Sequence, residues 1–198
     1  MVLHGLQSLL GRLYDVELNY DVYDFLVTDR DALPGAAPAA AERDVEEELL
    51  LAETMDGAGA GVALYLDPDL LRRLEGVSHF VYSTWRLDRD LPVSLLELET
   101  QAEVDKYAVT VFLLADQQGG GYPAQVHARL FDRVSFDARL EPDQYHRYRT
   151  AHRCAAHYCR RLEHRFVTRG VARIEALVRE LRKFYRLGST AKLRHALA

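Results

Sequence analysis

A helical pattern from Ser94 to about Asp116 sets Glu99, Glu103, Lys106 and Thr110 along one edge, and the preceding helical stretch carries His79 four residues after Glu75. Carboxylates beside a histidine and a lysine are the raw material of proton-transfer pockets, because burial and neighbouring charge can bring each of them to a useful pKa. A pocket lined by His79, Glu99, Glu103 and Lys106 would do acid–base chemistry on a small substrate. The same spacing has a plainer reading, in which Glu99, Glu103 and Lys106 pair with one another along a half-exposed helix edge. Asp105 falls inside an apolar stripe near Leu98 and Val109. A carboxylate there must meet a cation or donor, and an arginine of the C-terminal region is the expected partner.

Other chemistries lack their residues. A di-metal carboxylate bundle needs Glu-x-x-His steps, which the chain does not contain. Cys154, Cys159, His152, His157 and His164 do not share zinc spacing on one helical face. Gly119-Gly120-Gly121 and the alternating glycines from Gly57 to Gly61 match no phosphate-binding loop, and no Gly-x-Ser-x-Gly elbow is present. The expectation is therefore no metal and no cofactor.

Charge is distributed very unevenly. Residues 1–144 hold 27 acidic and 11 basic side chains, whereas residues 145–198 hold 14 basic and 3 acidic, within an overall net charge of −5. Winding residues 142–170 as a helix at about 100° per residue puts Tyr145, Tyr148, His152, Ala155, Cys159 and Phe166 inward. Arg147, Arg161 and Arg165 then face outward, with Arg153, His157 and His164 along one flank, and Arg173, Arg179, Arg182 and Arg186 extend the patch. Such an arginine face suits an acidic protein partner. The alternative is packing of this face, within the chain or across a homodimer, against the acidic residues 42–56 with Glu46, Glu47 and Glu48. An acidic total argues against nucleic acid as the main partner.

The run from Arg147 to His152, Arg-Tyr-Arg-Thr-Ala-His, carries an arginine with a histidine five positions on. Over these six residues it resembles the loose signature of the HEPN-type helical ribonucleases, which implies a fold helical throughout and action on RNA. The strand-like first third and the acidic total favour protein docking instead.

The elements that must position these residues follow from periodicity and punctuation. Leu3, Leu6, Leu9, Leu10 and Leu13 predict an N-terminal helix, unlike a secretory signal, and no apolar run is long enough to span a bilayer. Tyr20, Val22, Tyr23, Phe25 and Val27 predict a strand over 16–29, and Glu47–Thr54 with Gly61–Asp67 predict a hairpin about Asp56-Gly57. Pro68 opens a helix running through Trp85, and Ser94 with Glu97 has capping-box spacing. Further helices are expected over 124–136, 142–170, 171–187 and from Ser189. The helix from Ser94 has two apolar stripes and must be central. The expected architecture is α+β: one domain over 1–198, with a helix and small antiparallel sheet in 1–66 packed against a bundle of four or five helices in 67–198. Cys154 and Cys159, five apart on one helix, cannot easily close a disulfide. This fits a reducing, cytoplasmic location. The function expected is that of a non-catalytic binding or adaptor protein, with a small enzyme as the alternative.

Overall fold

The computed structural model describes residues 2–25, 68–117, 126–136, 138–167 and 173–198. Among these residues all regular structure is helical, in seven α-helices: α1 (Val2–Tyr14), α2 (Pro68–Leu87), α3 (Leu95–Gln117), α4 (Val126–Phe131), α5 (Pro142–Leu162), α6 (Ile174–Arg186) and α7 (Ser189–Leu197). The α+β expectation is overturned, since the described residues contain no strand. The predicted strand over 16–29 is irregular chain ending in a 3₁₀ turn at Val22–Phe25, as far as it is described. The predicted hairpin lies outside the described residues.

Helix α3 is the centre of the bundle. It packs on α5 along one side and α2 along the other, and it also touches α1, α4 and α7. Its two apolar stripes explain this, because buried Ala102 and Val109 lie on one face and buried Val104, Tyr107, Ala108, Val111 and Leu114 on another. Ser94 Oγ accepts the Glu97 amide N–H at 3.2 Å and starts the helix, as the sequence suggests. The reciprocal half of the capping box is missing, because the Glu97 carboxylate turns inward to Tyr82 Oη at 2.5 Å.

Helices α1 and α2 stop in the same way. Asp15 (φ 54°) and Asp90 (φ 52°) adopt the left-handed conformation, and the next residues, Val16 and Leu91, return their N–H groups to Gly11 and Arg86 carbonyls at 3.1 and 3.0 Å. Pro142 sits in the first turn of α5, whose buried face is Ala151, Cys154, Ala155, Tyr158, Cys159 and Leu162. A π-helical turn, Glu163–Val167, follows it. Tyr145, expected inside, is exposed. Both cysteines are free thiols in the core. Among the described residues no helix is long and apolar enough to cross a membrane.

Candidate functional site

Three polar regions are built on this frame, and the first lies wholly in the core. Asp105, buried in α3, accepts hydrogen bonds from Tyr14 Oη, from Ser78 Oγ at 2.5 Å and from Gln101 Nε2 at 2.8 Å. Among the described residues no arginine reaches it, which corrects the sequence expectation. The donors come from α1, α2 and its own helix, and hydroxyls fit where a guanidinium would need further acceptors. Gln101 Oε1 in turn accepts from Lys192 Nζ of α7 at 2.7 Å, and the same ammonium donates to Tyr82 Oη at 2.8 Å. Lys192 is fully buried and sits 4.0 Å from the centroid of the Tyr82 ring, a cation–π contact. Burial pushes the Lys192 pKa down to about 7, against the pull of Glu97 and Asp105. Burial likewise raises Asp105 to about 6, although Ser78, Tyr14 and Gln101 favour its carboxylate.

The second region joins α2, α3 and α5. Glu75 and His79 lie one turn apart on α2, and Glu99, Glu103 and Lys106 occupy successive turns of α3. Lys106 Nζ lies 2.8 Å from both Glu75 Oε2 and Glu103 Oε1. His79 Nε2 is 3.4 Å from Glu99 Oε2, and Arg147 Nε of α5 is 3.6 Å from Glu99 Oε1. His152 Nδ1, also from α5, is 3.3 Å from Glu103 Oε2. Burial alone would raise the Glu103 pKa, but the hydrogen bond to His152 and the Lys106 ammonium hold it below its ordinary value. Burial opposes the Lys106 charge, yet Glu103 and Glu75 raise its pKa. A cavity of about 190 Å³ opens beside the cluster, with Glu75, Glu99 and Glu103 on one side and Val134, Phe136 and Tyr148 on the other.

All four residues singled out for a pocket, His79, Glu99, Glu103 and Lys106, are thus brought together. Arg147 and His152 were missed as members, since helical winding put one outward and the other in the apolar core. The available signal was the two-sided burial of α3, which requires that its charged edge meet another helix. The pair that carries the short ribonuclease resemblance meets the cluster at separate carboxylates, Arg147 at Glu99 and His152 at Glu103.

The third region is a groove of about 860 Å³ along α5. Phe131 and Phe136 form its apolar side, and Arg149, Arg153, Arg160 and His157 its basic one. His157 and Arg160 also border a second groove of about 630 Å³, with Arg161, His164, Arg165 and Arg173 beyond them. Of the four arginines expected to hold a partner, Arg147, Arg153, Arg161 and Arg165, the second and the last are exposed. Arg147 is turned inward to Glu99. Arg161 donates to the carbonyls of His195 and Ala196 at 2.6 and 3.4 Å, so it caps the C-terminus of α7. Arg182 and Arg186 do the same for α1, donating to the carbonyls of Arg12, Leu13, Tyr14 and Asp15. They do not extend the patch. Arg149 and Arg160 take their place in it.

Comparison with protein-family models, with curated proteins and with solved structures finds no match.

Proposed function

We propose that the protein is a non-catalytic binding or adaptor protein of the cytosol that docks an acidic protein segment in the groove along α5. The observation that carries this reading is the placement of exposed Arg149 and Arg153 opposite Phe131 and Phe136. Among the described residues neither arginine meets a carboxylate, and the planar fork of each is suited to take one in two parallel hydrogen bonds. The aromatic side supplies an apolar seat for one large side chain of the partner. Size also decides in favour of the groove: its 860 Å³ falls within the range of about 300–1,000 Å³ usual for ligand sites, and the 190 Å³ cavity falls below it.

Fluorescence anisotropy tests the proposal with a labelled peptide of glutamates flanking one phenylalanine, its glutamine counterpart, and an oligouridylate of equal charge. The glutamate peptide is expected to bind, with affinity falling as salt rises, and the double change Arg149→Glu with Arg153→Glu to cost about tenfold or more at unchanged melting temperature. Equal binding by the double variant overturns the reading. So does tighter binding of the oligouridylate than of the peptide at about 150 mM salt.

A second reading, a small enzyme, rests on the convergence of His79, Glu99, Glu103 and Lys106 beside one cavity. The cavity limits its substrate to a molecule of a few heavy atoms.

A further inference from the structure

We propose that Glu75, His79 and Glu99 bind one divalent cation of the borderline class, Zn(II) foremost, with coordination completed by water from the adjoining cavity. One oxygen of each carboxylate and a ring nitrogen of His79 lie within 4.8 Å of one another. Ligands about 2.1 Å from a tetrahedral ion stand about 3.4 Å apart. The His79 Nε2 to Glu99 Oε2 distance is 3.4 Å, so this pair already spans one edge of such a tetrahedron.

The contact is not a hydrogen bond. His79 Nε2 is buried and has no hydrogen-bond partner. A buried ring nitrogen left this way costs free energy that a metal bond repays. Glu99, whose side chain is only a tenth exposed, makes two ionic contacts among the described residues, with His79 at 3.4 Å and Arg147 at 3.6 Å. Neither contact is a hydrogen bond, since His79 Nε2 and Arg147 Nε have no hydrogen-bond partner.

The surrounding cations each approach one oxygen of a carboxylate. Lys106 approaches Glu75 through Oε2, and Arg147 approaches Glu99 through Oε1, so each carboxylate keeps its second oxygen. Charges on those outer oxygens orient the carboxylates as outer-sphere partners do in metal centres. Glu75, Glu99 and Glu103 outnumber Lys106 and Arg147, so a dication enters a region with surplus negative charge. The ligands stand on two long helices, which fixes their geometry better than loops would. One imidazole with two carboxylates suits Zn(II) or Mn(II), whereas Mg(II) prefers oxygen alone and Cu(I) prefers sulfur. The cavity bordered by Glu75 and Glu99 gives a water ligand its place.

Isothermal titration of the metal-free full chain with Zn(II), Mn(II) and Mg(II) tests this. The expected result is one equivalent of Zn(II), weaker Mn(II) and no Mg(II), with His79→Ala and Glu75→Gln each weakening Zn(II) about 100-fold or more. His157→Ala, in the groove, is the control for adventitious histidine binding and is expected to bind as wild type. Loading with Co(II) gives an independent readout, the visible absorption of a four-coordinate site, which His79→Ala removes and His157→Ala keeps. Glu75, partly exposed, can be changed without risk to the core, so one variant remains informative if His79→Ala does not fold. Absence of stoichiometric Zn(II) binding by the wild type overturns the proposal, as does unchanged binding in Glu75→Gln.

Discussion

Helix α3 carries two charged regions barely two turns apart, and they are finished to different degrees. Around Asp105 the carboxylate has three donors, Lys192 has acceptors in Tyr82 and Gln101, and aromatic rings close over the rest. Around Glu99 two buried nitrogens, His79 Nε2 and Arg147 Nε, stop short of any hydrogen bond, and a cavity opens beside the carboxylate. The first arrangement is what a buried polar group needs in order to be tolerated. The second leaves unmet demand at a place a small ligand can enter. Glu97 Oε2 and Tyr185 Oη, at the border of the first region, are buried without a partner as well, so the two regions differ chiefly in the cavity that opens beside Glu99.

The difference is sharpest in stability. Lys192→Met removes the ammonium that links α7 to α2 and α3, and denaturation should show a loss of about 3 kcal/mol. The loss should be larger at pH 9 than at pH 6. Lys192 has a pKa of about 7 in the fold and 10.5 unfolded, so between these values the unfolded chain holds a proton the fold has shed, and wild-type stability rises with pH. A loss that is equal at both pH values would show that the lysine keeps its proton in the core. Asp105→Asn should cost about 1–3 kcal/mol, because one of its three donors then faces an N–H group. Its pKa is raised from 3.8 to about 6, so the fold retains a proton that the unfolded chain loses, and wild-type stability falls as pH rises through that window. The cost of the substitution is then greater at pH 4 than at pH 7, readable from urea midpoints at the two values.

The smallest changes belong to the open cluster, and they divide it. Glu103 is held by Lys106 and His152, and Glu103→Gln should cost about 1 kcal/mol. Glu99→Gln should leave stability unchanged or raise it by up to about 1 kcal/mol, as expected where a charge is kept at the expense of stability. A loss at Glu99 matching that at Asp105 would erase the contrast between the two regions and with it the case for a site.

Periodicity placed the helices well, because a 3.6-residue apolar repeat is imposed by the core itself, as in the buried Leu177, Leu181 and Tyr185 of α6. Over its described part, residues 16–25, the strand reading of 16–29 failed for a reason the residues make clear. Val22 is buried and its N–H is satisfied by Gln7 Oε1 at 2.9 Å, whereas Tyr20 and Tyr23 are about 40% exposed. Aromatic and β-branched residues favour strands only where a pleated surface receives them, and here Val22 is buried, with Val16 and Leu18 partly buried against the helical core, instead. The charged edge of α3 was legible from its spacing. The arginines were less so, since Arg147, Arg161, Arg182 and Arg186 reach a carboxylate or helix-end carbonyls that a tally of charge does not register. The partners of Asp105 were hidden by distance along the chain, Tyr14 being 91 residues away.

The two free thiols give the fold a built-in clock. Cys154 and Cys159 both sit on the face of α5 that lies in the core, and burial raises the pKa of each. A thiol reagent meets neither sulfur in the closed molecule, so modification waits on opening. Its rate, followed with and without a ligand in the groove or the cluster, counts how often α5 comes away from the bundle, because that helix forms a wall of both.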